Sequence, residues 1–313
     1  MKVGLVADPT CDLPRDFLDE MGVFVLPIAI RIGDRELLDA RDPGETLAFH
    51  TNHLAAKGTL AESRAPSVED VRRFFLDRVV TGCDFALCLT VSSTRSPVFA
   101  NVTKAGLGIL TEYKATRHAA KMEGPFAVRV LDSRNMFAGQ GALTAEAAAL
   151  IAEGFSAAAV RERIEELAYS VHSYLVPKDL YYIRARAKKK GDRSVGPLRY
   201  LLGTAMNIRP VLACTDGETE AVQTERGFEA AVRRLFDFAR ARIGDGLQGR
   251  FLCVSYGGPP ERLGELPGFD ELVSAAEAGG IRVLTSVMSM TAGVNVGDGA
   301  VSVGFLAAPR AFD

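Results

Sequence analysis

The chain has 313 residues, 48% apolar and 24% charged, which excludes a disordered or fibrous protein and predicts two domains, or one large one, with a full core. Thirty-seven basic side chains against 39 acidic ones leave a net charge of −2, which argues against a broad electrostatic grip on nucleic acid and leaves only local patches to consider. Lys2–Ala7 is an apolar run too short for a signal peptide; it reads as a first strand that stops at Asp8-Pro9-Thr10. Asp12 before Leu13-Pro14 is a helix-start signal. Val23–Ile32 is β-rich, and Gly33-Asp34 turns it into Glu36–Leu38, a hairpin. Pro43-Gly44-Glu45 opens a helix through Ala56, and Ser67-Val68-Glu69-Asp70 is a capping-box start for Val71–Val80. Phe85–Val91 is a buried strand ended by the polar string Ser92–Pro97, and a helix follows through Tyr113. Phe126–Leu131 is a strand ended by Asp132-Ser133, and Gly139–Glu153 is a helix closed by Gly154. Strand, polar loop and helix recur, so the first half reads as α/β with a mainly parallel sheet.

Ser156–Ser170 is a helix bridging to the second half, and Tyr174–Val176 is a short strand. Ile208–Cys214 and Thr219–Thr224 form a hairpin at Asp216-Gly217, and Phe228–Ile243 is amphipathic. Phe251–Tyr256, a helix at Phe269–Ala278, Val283–Met288 and Ala300–Leu306 complete a second α/β unit. The greasiest stretch, Ala142–Ala152, is interrupted by Thr144 and Glu146 and falls short of the ~20 apolar residues of a membrane span. It reads as a buried helix. The cysteines Cys11, Cys83, Cys88, Cys214 and Cys253 are scattered without zinc spacing, as expected of reduced core thiols in a cytoplasmic protein.

Ligands of open α/β sheets gather outside the carboxyl ends of strands. The loops Asp8–Asp12, Ser92–Ser96 and Asp132–Asn135, with the pre-helix loop Ser63–Ser67, qualify. Gly293–Gly299 reads as a glycine-rich loop between two strands. No dinucleotide fingerprint or P-loop is present, and no G-x-S-x-G elbow accompanies His50, His53, His118 or His172. His50 and His53, three apart on a helix, can hold a metal, although such a pair more often serves the surface. Asp8 and Asp132 follow strands, which suits Mg²⁺, but that position is also the ordinary one for a loop brace. Arg184, Arg186, Lys188, Lys189, Lys190 and Arg193 make a compact basic run without the aromatic interleaving that single-stranded nucleic acid requires; it reads as a solvated loop or as a dock for an acidic protein surface.

These loops together resemble the DegV family, which includes the fatty-acid-binding subunits of bacterial fatty acid kinase. ADPTCDLP at 7–14 is similar to the family's D-S/T-x-D-L-P, and VLPIAIRIGDRELLD at 25–39 to its hairpin and aspartate. SRAPSVED at 63–70, TVSSTRSPVFANV at 90–102 and VLDSRNMFAGQG at 130–141 resemble its serine and threonine loops. MNIRPVLACTDGETE at 206–220 with Thr224-Glu225-Arg226, and Val294–Phe305, resemble its last two motifs.

The resemblance implies two α/β domains, which we divide at 1–170 and 171–313. The first has a mainly parallel sheet flanked by helices, the second is smaller with a mixed sheet, and a lipid site lies between them. It further implies a non-catalytic protein that needs no cofactor or metal, binds a long-chain fatty acid and presents its carboxylate to a partner such as a fatty acid kinase catalytic subunit. Carried over by position, the carboxylate ligands are Ser63, Ser92 or Ser93, and Asn295, with Gly297 and Gly299 as loop backbone near the head group. Asn295 stands where the family has histidine, and Asp298 where it has proline. Arg64 and Arg95 enter the same loops, so one of them is expected to clamp the carboxylate in place of the histidine. The basic run, with Arg226, is the expected dock for a partner. Two other readings stay open: a metal-assisted enzyme using Asp8 and Asp132, and a regulatory protein docking through 184–193.

Overall fold

The structure, a computed structural model, describes residues 1–183 and 207–312. The six cations of the basic run therefore lie outside the described residues. In chain order the first half holds β1 (Val3–Ala7), α1 (Arg15–Glu20), β2 (Phe24–Val25), β3 (Ile28–Ile32), β4 (Arg35–Asp39), α2 (Pro43–Thr51), β5 (Ala61–Arg64), α3 (Val68–Phe74), β6 (Phe85–Thr90), α4 (Val98–Ala119), β7 (Ala127–Asp132), α5 (Phe137–Ala152) and α6 (Ala157–Leu167). The second half holds β8 (Val171–Val176), β9 (Ile208–Thr215), β10 (Glu218–Arg226), α7 (Phe228–Asp245), β11 (Phe251–Tyr256), α8 (Phe269–Ala278), β12 (Arg282–Val287), α9 (Met290–Val296) and β13 (Val301–Leu306).

The first sheet runs β2-β1-β6-β7 with every pairing parallel, as the strand–loop–helix recurrence requires. The long β-rich run does not stay in one sheet. Phe24 and Val25 pair with β1, while Ile28–Ile32 leaves to form a small antiparallel sheet, β4-β3-β5. Its third strand, Ala61–Arg64, occupies what the sequence presents as a loop. Local chemistry starts the helices: Asp42 Oδ1 accepts from Glu45 N at 2.8 Å to cap α2, and Ser67 and Asp70 close a capping box on α3.

The second sheet runs β10-β9-β8-β13-β11-β12; only β11 and β12 pair in parallel, so it is mixed. Although the second half is the shorter in chain, this sheet is the wider. Helix α5 explains how the halves join. It packs on β8, β11 and β13 of the second sheet and on β1 and β6 of the first, and every residue from Phe137 to Ala148 is buried. A helix enclosed on both sides must be slim, which is why this one is built of alanine and glycine. At its crossing with β13, a Cβ on Gly304 would collide with the Ala138–Gly139 backbone. One core cluster accordingly combines Leu5, Leu87 and Leu131 from the first half with Phe251, Cys253 and Leu306 from the second, around Ala142 and Leu143.

Candidate functional site

Helix α9 forms one wall between the halves. Ser289 caps it by accepting from Ala292 N at 3.1 Å, and the helix packs against α2, β3 and β5. Met290 and Val294 enter the cluster of Ile28, Ile30 and Phe49. Ala292 and Val296 enter another, with Phe137, Leu175, Leu212 and Met288. The wall thus turns apolar side chains to both sides, and Met136 borders both clusters. Asn295 therefore sits on a helix and not in a glycine-rich loop; only Gly297 and Gly299 lie beyond its end. Its Nδ2 donates to the Thr291 carbonyl at 2.6 Å.

Ser63 pairs with Ile30 on β5, the strand that α9 packs against, and is half-buried. Ser92 is buried, with its hydroxyl 3.0 Å from that of Thr94. Thr94 Oγ1 in turn donates to the Gly217 carbonyl at 3.1 Å, so this loop grips the tip of the β9–β10 hairpin. Arg95 strengthens the grip: its Nε donates to the same carbonyl and its Nη2 to Thr219 Oγ1, both at 2.8 Å. Ser93 is exposed, and its backbone N–H donates to Asp132 Oδ2 at 3.2 Å. Arg64 is exposed and pairs with Glu36 at 3.1 Å. Arg226 is exposed at the end of β10. Among the described residues, Ser63 Oγ, Ser93 Oγ and Asn295 Oδ1 make no hydrogen bond. The structure thus brings Ser63 toward the helix of Asn295, brings Ser92 and Arg95 to the tip of the β9–β10 hairpin, and sends Arg64 to the surface.

Buried polar side chains hold this arrangement. Asp39 Oδ2 accepts from Thr291 N and Thr291 Oγ1, both at 2.7 Å, at the first turn of α9. Asp12 Oδ1 accepts from Ser289 N at 2.9 Å and its Oδ2 from Ser255 Oγ at 2.7 Å. Arg41 Nη2 donates to the Leu13 and Val287 carbonyls, both at 2.8 Å. Burial raises the Asp12 carboxyl above its ordinary value, with Arg41 pulling the other way. Burial also pushes the Cys11 thiol up to about 12, and all five cysteines are buried and free. Asp8 Oδ2 accepts from Val91 N at 2.6 Å, while its Oδ1 accepts from Thr10 N and Thr10 Oγ1. Asp132 receives the Ser93 and Arg134 backbone N–H groups. Both are loop braces, and among the described residues no group of three or more His, Cys, Asp or Glu is arranged to hold a metal.

A further cluster joins the His50 and His53 pair to a residue far along the chain. His50 lies at the end of α2, while His53 lies beyond it in a left-handed conformation; both reach Asp298, some 245 residues away along the chain. No local pattern reports a partner at that separation.

An α/β protein with a four-stranded parallel sheet, a mixed six-stranded sheet and a wall helix between them is a fold already known from solved structures. A crystal structure described as a DegV lipid binding protein from Thermotoga maritima superposes with a TM-score of 0.76 at 22% identity, covering 99% of this chain and 100% of that one. A stearic acid-binding protein from Eubacterium ventriosum gives 0.78 at 17% identity, covering 98% of each. A DegV domain-containing protein of Xanthomonas axonopodis pv. citri is 46% identical over 312 residues, 100% of this chain and 99% of that protein. The model of the DegV family, described as an uncharacterised protein, matches residues 2–308. The chain belongs to the DegV family. Among the described residues, no helix is long and apolar enough to cross a membrane.

Proposed function

We propose that this protein binds a long-chain fatty acid between its two halves without altering it chemically, and holds the carboxylate at the rim for a partner. The observation that carries this reading is wall helix α9: apolar side chains on both of its sides, with Asn295 and the neighbouring Ser63 keeping polar atoms that make no hydrogen bond among the described residues. Solved structures of the same fold are described as binding fatty acids, among them those from Thermus thermophilus and Bacillus subtilis. The energetics suit the role. Burying a methylene contributes about 0.8 kcal/mol, so a tail of about fifteen offers roughly 12 kcal/mol before ordering costs. The rim needs only to fix the head group.

In this reading Ser63, Ser92, Ser93 and Asn295 receive the carboxylate, with Gly297 and Gly299 shaping the adjoining turn. Arg95 is the better situated of the two cations, because it already spans the serine loop and the hairpin. Presentation to a fatty acid kinase catalytic subunit in the cytoplasm, as part of phospholipid metabolism, and docking through Arg226 and the basic run complete the proposal.

Extraction of the purified full chain followed by mass spectrometry tests it: a stoichiometric long-chain acid is expected. A lipid-free protein that also fails to take up oleate or stearate overturns it. Arg95→Ala is expected to weaken oleate binding by about ten- to a hundredfold, the value of a lost charge-assisted hydrogen bond. If Arg95→Ala and Arg64→Ala both keep full affinity, neither cation holds the carboxylate.

A further inference from the structure

His50 Nδ1 lies 2.8 Å from Asp298 Oδ1, and His53 Nδ1 lies 2.8 Å from Asp298 Oδ2. The remaining nitrogen of His50, Nε2, lies 2.8 Å from the Met288 carbonyl oxygen. A carbonyl oxygen only accepts, so Nε2 carries a hydrogen. An ionised carboxylate also only accepts, so Nδ1 carries one as well. The His50 side chain is fully enclosed, so water cannot replace either partner. A ring that donates to both oxygens at once must carry hydrogen on both nitrogens.

We propose that His50, Asp298 and His53 form a proton-dependent clasp that positions α9, and with it Asn295, at the rim of the lipid site. Asp39 and Asp12 fix the start of this helix, and the clasp fixes the turn that follows its end. With its proton, His50 ties α2 to both Met288 and Asp298. Without it, one of the two bonds is lost and the turn loosens.

The charged and titratable surroundings are few. On its own side of the interface His50 has His53 beside it and Glu45 in the first turn of α2. From the opposing segment it meets Asp298, with Asp39 at the other end of α9. β12 contributes only Arg282, at its far end. The clasp borders a cleft of about 380 Å³ to which Lys178, Tyr256 and Arg262 contribute, and Arg262 is already paired with Glu265. Tyr182 packs on Gly297; burial first, and then the Asp298 charge, raise its hydroxyl above the ordinary value.

The proposal rests on the lipid reading for its ligand but not for the clasp itself, and the experiment separates the two. In the full chain with ¹⁵N-labelled histidine, both His50 nitrogens are expected to carry hydrogen at about pH 6. Amide exchange over 290–299, corrected for its intrinsic pH dependence, is expected to rise about tenfold between about pH 6 and pH 8.5. His50→Gln and Asp298→Asn should already show the faster exchange at the lower pH. Oleate affinity should fall several-fold over the same range in the unaltered protein and stay flat in His50→Gln. A His50 nitrogen without hydrogen at about pH 6, or exchange in the unaltered protein that ignores pH, overturns the clasp without any variant having to fold. If oleate does not bind at any pH while the NMR and exchange results hold, the clasp stands and the lipid reading falls.

Discussion

His172 lies on β8 with 5% of its surface exposed, and its Nε2 meets the Ala307 carbonyl at 3.1 Å. Burial holds its imidazole below the ordinary value, with the nearby Arg242 charge acting the same way and the Ala307 bond opposing it. The unfolded chain therefore takes up a proton near the ordinary value of about 6.5 while the folded protein still resists it. The stability that this group contributes is complete above that value and is lost as pH falls through it toward the folded value. In urea titrations the unaltered protein should lose more of its denaturation midpoint between about pH 7.5 and pH 5 than His172→Gln does; equal losses would assign the acid sensitivity elsewhere. The sequence names such a histidine but cannot report its burial. The same limit hid the partner of His50 and His53, because an i, i+3 spacing is visible locally and Asp298 is not.

Elements show a second kind of gap. The strands and helices of the repeating α/β pattern were legible because each carries its own signal: the capping box at Ser67, the turn at Asp216-Gly217, the amphipathic stripe of Phe228–Ile243. Helix α9 carries little. Its Gly293 and β-branched valines have poor helix propensity, yet a Cβ at Gly293 would meet the His50 and Phe49 rings, so close packing against α2 dictates the glycine. Strand β5 was hidden likewise, since Ala-Glu-Ser-Arg has no alternation and its order comes from β3. Tertiary contacts make both elements, and both carry expected carboxylate ligands. Asp39 makes two such contacts on α9, to the Thr291 N–H and hydroxyl. Asp39→Ala should leave the Thr291 N–H and hydroxyl buried without an acceptor and destabilise the protein by about 2–4 kcal/mol. Asp39→Asn, which keeps one acceptor, should cost less. Equal, small losses in chemical denaturation would show that Asp39 does not hold the helix.

At the scale of the whole molecule, the sequence suggests a division at about residue 170, and the packing of one helix bears on whether the two parts fold apart. Helix α5 belongs to the first half by chain order, but it lies against β8, β11 and β13 as well as against β1 and β6. The 1–170 fragment expressed alone should therefore expose one face of α5 and be aggregation-prone or partly unfolded, and the full chain should unfold in one transition followed by fluorescence and circular dichroism alike. A soluble, cooperatively folding fragment, or two resolved transitions, would establish two independent domains.

The shared helix also bears on how a guest could get in. Opening the molecule like a clamshell would tear α5 from one sheet or the other and wet a continuous apolar seam from Leu5 to Leu306. Admission by that route is too costly to recur with each loading cycle. If the chain binds lipid as proposed, entry and exit would proceed by small displacements at the periphery, where a seven-residue helix hangs between short polar tethers while the central spine stays shut.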